Sequence, residues 1–164
     1  MEWLTPKESD IFETFVAGKF KVLVSNLASI KPTDYAFFEE VWMNDKNPYK
    51  LDILAVRRLD VARTNRPELQ ALVNGKIRQM WELGRVDSRN YYKFDSGERA
   101  WAIEVGEWCD YHHFGEIHNV KRLMPKRFPK LVVEGYAVVC RERMDSGDIL
   151  GMYEDDGVQV FQLT

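Results

Sequence analysis

The stretch Trp108-Cys109-Asp110-Tyr111-His112-His113-Phe114-Gly115-Glu116-Ile117-His118 holds all three histidines of the chain and one of its two cysteines. Imidazole is the side chain whose ordinary pKa lies nearest neutrality, so proton transfer or metal binding at neutral pH is expected here first. Cys109, His112, His113 and His118 are the candidate zinc ligands, because zinc accepts thiolate and imidazole together. Their spacing matches neither paired CxxC nor HExxH, so no metal and no other cofactor is favoured. For chemistry without a metal, His112, His113 and Glu116 are the candidate acid–base residues, with Glu104, Glu107 and Asp110 as flanking carboxylates. Cys109 is a poorer nucleophile candidate, since a catalytic base usually arrives from elsewhere in the fold. There is no Gly-x-Ser-x-Gly elbow and no phosphate-cradling glycine loop. The plain alternative is a polar bend whose rings each satisfy a local hydrogen bond.

A second feature follows directly. Lys121, Arg122, Lys126, Arg127 and Lys130 put five positive charges into ten residues, with Phe128 among them. Such a run suits a phosphate backbone with a base stacked on the ring, an acidic protein surface, or plain solvation. The net charge of −3 gives the chain as a whole no electrostatic reason to seek nucleic acid. With Trp108, Tyr111 and Phe114, these five cations form the candidate binding surface. Glu134 interrupts the apolar run around Leu131-Val132-Val133; buried, it would have a raised pKa unless paired, and the plainer expectation is a partly exposed face or an Arg partner on a neighbouring strand.

The elements that position these residues follow from periodicity. Thr5-Pro6-Lys7-Glu8 is a capped helix start, and Ile11, Phe12, Phe15 and Val16 then share one face. Phe20 to Val24 alternates as a strand. Phe37, Phe38, Val41 and Trp42 read as a second helix, and Leu51 to Leu59 as a largely apolar strand. Residues 65–84 read as the third helix, with Leu69, Leu72, Val73, Ile77, Met80 and Trp81 in one stripe. Tyr92 and Phe94 lead through Asp95-Ser96-Gly97 into a return strand carrying Trp101, Ile103 and Val105. A short helix or loop over 116–124 precedes the apolar strand Leu131 to Cys140. Ser146-Gly147 reads as a turn, and Ile149–Tyr153 and Val158–Leu163 as strands of a hairpin around Asp156-Gly157. The expected fold is therefore a single α+β domain over 1–164. Its mixed, mainly antiparallel sheet would have six to seven strands, with three main helices on one face.

Composition narrows the class. Aromatic residues make up 13% of the chain, with five Trp, enough for a core and for interface anchors. Two cysteines make no disulfide framework, and the opening MEWLTPKESD does not read as a signal peptide. No apolar stretch approaches the roughly 20 residues of a membrane span. A soluble, reduced, cytoplasmic protein without a membrane role is expected. Its expected function is binding another macromolecule, most simply a protein, as a stoichiometric inhibitor or immunity-type protein from a phage or other mobile element. The first alternative is a hydrolase or lyase centred on residues 109–118, with or without zinc. The second is a nucleic-acid-binding protein using residues 121–130.

Overall fold

The computed structural model describes residues 6–20, 22, 34–43, 49–57, 60, 94, 96–143 and 147–163. In chain order these form α1 (Pro6–Phe15) with a π-helical turn after it (Val16–Phe20), β1 (Tyr35–Trp42) and β2 (Lys50–Arg57). Then come β3 (Arg99–Cys109), α2 (Tyr111–Arg127), β4 (Val132–Arg143), α3 (Gly147–Asp155) and β5 (Val158–Gln162). Among the described residues the sheet has five strands, side by side in sequence order. β1–β2 and β2–β3 are antiparallel, whereas β3–β4 and β4–β5 are parallel. The fold is thus α+β with a mixed sheet, not the mainly antiparallel one of six to seven strands that the periodicity suggests. The parallel half follows from α2 and α3, since a helix that crosses over returns the chain in its original direction.

The sheet is covered on both faces. Ile11, Phe12 and Phe15 of α1 and Phe20 pack with Phe37, Ile53, Trp101 and Val139. Ile117, Val120 and Met124 of α2 and Ile149 and Tyr153 of α3 pack with Phe38, Leu54, Ala102 and Val138. Successive strand residues point to opposite faces, so Phe37 and Phe38 belong to different cores. The three helices therefore do not share one face. Double coverage also explains why residues 35–42 form a strand instead of the expected helix. A strand buried on both sides is apolar at nearly every position and mimics a helical stripe.

Other differences have equally local causes. The segment 149–153 is helical, not extended, because Ile149 and Tyr153 stand four apart and are both buried. Gly157 still makes a turn, at φ +71°, but it joins α3 to a parallel strand and not two strands of a hairpin. The helix expected over 116–124 is longer and starts directly after Asp110. Phe20 ends the π-helical turn, and residues 21, 23 and 24 of the strand expected there lie outside the described residues. The helix expected over 65–84, the Thr5 cap, and Asp95 and Ser146 of the expected turns lie outside the described residues.

Glu134 is paired as its position in an apolar run requires. Arg57 Nε donates to Glu134 Oε1 at 2.8 Å, and its terminal nitrogen donates to the second oxygen. The partner strand, β2, is the next but one. Arg57→Ala would leave this half-buried carboxylate with the Tyr35 hydroxyl at 3.4 Å in place of its cation and is expected to lower stability by about 3 kcal/mol, read by urea unfolding. A change within error would show that the pair is only solvated decoration.

Candidate active site

Asp52 and Glu104 are brought together by strand register. Ile53 of β2 faces Ile103 of β3, so the next residue outward on each strand is the other's neighbour. Their carboxyl groups are hydrogen-bonded to each other. Glu104 is 1% exposed, while Asp52 lies at the partly open rim. Asp52 Oδ2 also accepts the backbone N–H of Val105 at 2.8 Å. The Tyr49 hydroxyl stands 3.5 Å from Glu104 Oε1, a weak donor contact.

The electrostatics are one-sided. Burial and then the negative charge of Asp52 push the Glu104 carboxyl well above the ordinary carboxylate range. Burial also raises Asp52, to about 6, even though the hydrogen bonds from Glu104 and Val105 work the other way. Glu8 of α1 and Glu116 of α2 add further negative charge around Asp52. Tyr49 is pushed up by burial and by the same carboxylates. At neutral pH the pair is therefore an acid–carboxylate couple, with Glu104 as the donor and Asp52 as the acceptor. Two carboxyl groups that share a hydrogen bond hold a proton between them.

The histidines line α2, which packs on this face of the sheet. Asp110 caps the helix and accepts the backbone N–H of His113 at 3.0 Å and its ring Nδ1–H at 2.9 Å. Burial opposes ionisation of Asp110, but these two bonds prevail and hold its carboxyl below the usual range. His112 pairs with Glu116 at 2.8 Å and is 76% exposed. His118 pairs with Asp156 at 3.1 Å and stacks on Phe114. The three imidazoles thus take three separate carboxylates; the His112 and His113 rings meet edge-on with centroids 5.6 Å apart, while His118 stacks on Phe114.

Cys109 is joined to Cys140 of β4 by a disulfide, with Cα atoms 5.7 Å apart. This corrects the expectation of reduced thiols and removes Cys109 as zinc ligand or nucleophile. Among the described residues, no group of three or more His, Cys, Asp or Glu side chains could hold a metal ion. No helix among them is long and apolar enough to cross a membrane.

The expected binding residues are spread along α2 and its flanks. Trp108 is 46% exposed at the end of β3. Phe114 packs edge-on against Tyr153, and the side chain of Tyr111 lies outside the described set. Lys121 bonds the Asp156 carbonyl and lies over the Tyr136 ring, so it is structural in part. Arg127 covers the Phe128 ring at 4.3 Å. Arg122, Lys126 and Lys130 are exposed. A groove lined by Leu150, Glu154, Val158, Gln159, Val160 and Gln162 contains none of the residues that sequence reasoning singles out.

Sequence reasoning names Glu104 only as a neighbour of the histidines and misses Asp52. The available signal was a carboxylate at an inward position of an apolar strand, once in LDILAV and once in WAIEV. No family model, no curated protein and no solved structure matches the chain.

Proposed function

We propose that this protein is a hydrolase of phosphodiester bonds in nucleic acid, with the Asp52–Glu104 pair as its reaction centre. The observation that carries the reading is the hydrogen-bonded carboxyl pair itself, one member of which is fully buried. Two acids in this position destabilise a fold, and strongly perturbed carboxyls concentrate at functional sites. A hard divalent cation such as Mg2+ or Mn2+ would have to displace the shared proton and enter from the side of Asp52, since Glu104 is 1% exposed. It needs only one or two carboxylates and fills its remaining positions with water and substrate phosphate. There it would polarise the phosphoryl oxygen and lower the pKa of a bound water. The exposed cations Arg122, Lys126 and Lys130 stand on the helix that carries Glu116 and on the turn after it, and support a polyanionic substrate.

The test is cleavage of labelled single- and double-stranded DNA and RNA with Mg2+ or Mn2+, against a chelator control. Cation-dependent cleavage is expected, and its absence on all four substrates would refute the reading. The Arg122→Ala/Lys126→Ala/Lys130→Ala triple variant is expected to flatten the salt dependence of substrate binding, by a log–log slope of up to about 3. An unchanged slope would move the substrate off α2.

The exposure of Trp108 favours a second reading, capture of a protein partner as an inhibitor or immunity-type protein. Trp108→Ala with Arg127→Ala is then expected to abolish capture with little change in melting temperature. Unchanged capture would discard that surface.

A further inference from the structure

β5 closes the sheet on one side, and among the described residues it pairs with β4 alone. The N–H of Leu163 donates to the Cys140 carbonyl at 3.0 Å, so the backbone groups of Gln159, Phe161 and Leu163 turn toward β4. Those of Val158, Val160 and Gln162 therefore turn outward. Lys19 Nζ takes the Gln162 carbonyl, as an outward group allows. The side chains alternate too: Val158 and Val160 lie on the face that α3 covers, and Phe161 on the face that α1 covers. A groove of about 400 Å³ runs along this edge, lined by Leu150 and Glu154 of α3 and by Val158, Val160 and Gln162 of β5. Outward backbone donors and acceptors beside a half-apolar wall are what a sheet offers to a further strand. Edge strands are usually guarded by charged side chains, yet β5 itself, Val-Gln-Val-Phe-Gln, carries none.

We infer that the strand this edge accepts is β5 of a second copy of the chain, antiparallel to the first about a two-fold axis at Val160. It does not depend on the hydrolase reading. In that register Val160 faces Val160 of the second copy and Val158 faces Gln162 of the second copy. Each facing pair exchanges both of its N–H···O bonds. The Gln162 carbonyl has two lone pairs, so its contact with Lys19 leaves one for the incoming N–H. This occupant is favoured because the groove is its own complement. Gln162 of the second copy arrives opposite Val158, on the face where Glu154 stands, and its amide has two N–H donors to offer that carboxylate. The same contact recurs on the other side of the axis. Between the two, the Val160 side chains meet beside Leu150 of both copies. An interface that repeats every contact across a two-fold axis closes at two copies.

The experiment is sedimentation equilibrium of the unreduced protein from about 1 μM to about 1 mM, the span of affinity open to a small interface. The mass of the wild type is expected to rise from 19.3 kDa toward twice that value. The amide hydrogens of Val158 and Val160 should exchange more slowly at the high end. Val160→Pro removes an outward N–H and leaves the bonds to β4 in place, and is expected to weaken the dimer about tenfold or more. Gln162→Lys brings a cation to Glu154 of the second copy and should tighten the dimer about threefold. Gln162→Glu brings a like charge there and should weaken it by about as much. Those two opposite shifts hold whether or not Val160→Pro folds. A 19.3 kDa species at every concentration would overturn the inference. So would a dimer whose affinity ignores all the substitutions, which would put the interface elsewhere. A protein that stays monomeric but takes an unrelated peptide strand at this edge would overturn it in favour of a foreign partner.

Discussion

Glu104→Gln is expected to abolish cleavage and raise the melting temperature at the same time. Glutamine has the shape of the protonated acid and still donates an N–H to the Asp52 carboxylate, so the hydrogen bond survives. What disappears is the second acid. At neutral pH the wild-type fold suppresses ionisation of one carboxyl and confines the charge of the other, a penalty that the amide does not carry. The loss in kcat is expected to be about 10²-fold or more, because an amide is a poor substitute for a carboxylate on a hard cation.

Asp52→Asn tests the same penalty through pH. The folded pKa of Asp52 is raised, from 3.8 to about 6. Its favourable contribution is therefore complete below pH 3.8 and is lost as pH rises through about 6. The wild type should lose stability across that window by an amount on the order of a few kcal/mol, and Asp52→Asn should lose less, keeping the part that burial of Glu104 contributes. Equal slopes for the two proteins would show that the pair is solvated and free of strain. Asp110, whose carboxyl is lowered, acts in the opposite direction at more acidic pH and is common to both.

The second large effect is on the disulfide. Cys109 and Cys140 are 31 residues apart and both fully buried. Closing a loop of that length restricts the unfolded chain by about 3.7 kcal/mol on the chain-entropy account. Cys140→Ser, or reduction, is expected to lower the melting temperature by about 10 °C, at roughly 2–4 °C per kcal/mol for a chain this long. A thiol count on denatured, unreduced protein should find none. Two free thiols, with an unchanged melt in reductant, would contradict the bridge. Because the bridge ends one residue before the Asp110 cap, its loss should also loosen the start of α2 and reduce activity further than the melt alone implies. Such bonds persist in oxidising compartments, and this one sits uneasily with the reduced interior that two cysteines first suggest.

How far the molecule is legible in its sequence depends on which signals compete. Pro6 with the spacing of Ile11, Phe12 and Phe15 marks α1, and the apolar runs mark β2, β3, β4 and β5 at nearly their true places. Phe37-Phe38 misleads because adjacent aromatics fit a helical stripe as well as they fit two opposite cores. Ile149 and Tyr153 mislead because a short apolar segment before Asp-Gly resembles a hairpin arm. The site is harder still. Three histidines in one bend draw attention by their residue type, yet each is engaged by its own carboxylate, although the His112 and His113 rings touch edge-on. Asp52 and Glu104 lie 52 residues apart and become neighbours only through the β2–β3 register. No local spacing encodes that register. The cysteine pair is invisible for the same reason, since its two ends meet only once β3 and β4 align.

The most direct measurement is the infrared difference spectrum between wild-type protein and Glu104→Gln, with and without Mn2+ at neutral pH. Wild type without metal should show the carbonyl stretch of a protonated carboxyl that Glu104→Gln lacks, and Mn2+ should erase that band as the cation replaces the proton. No such band in the metal-free protein, or a band that persists at saturating Mn2+, would contradict the account.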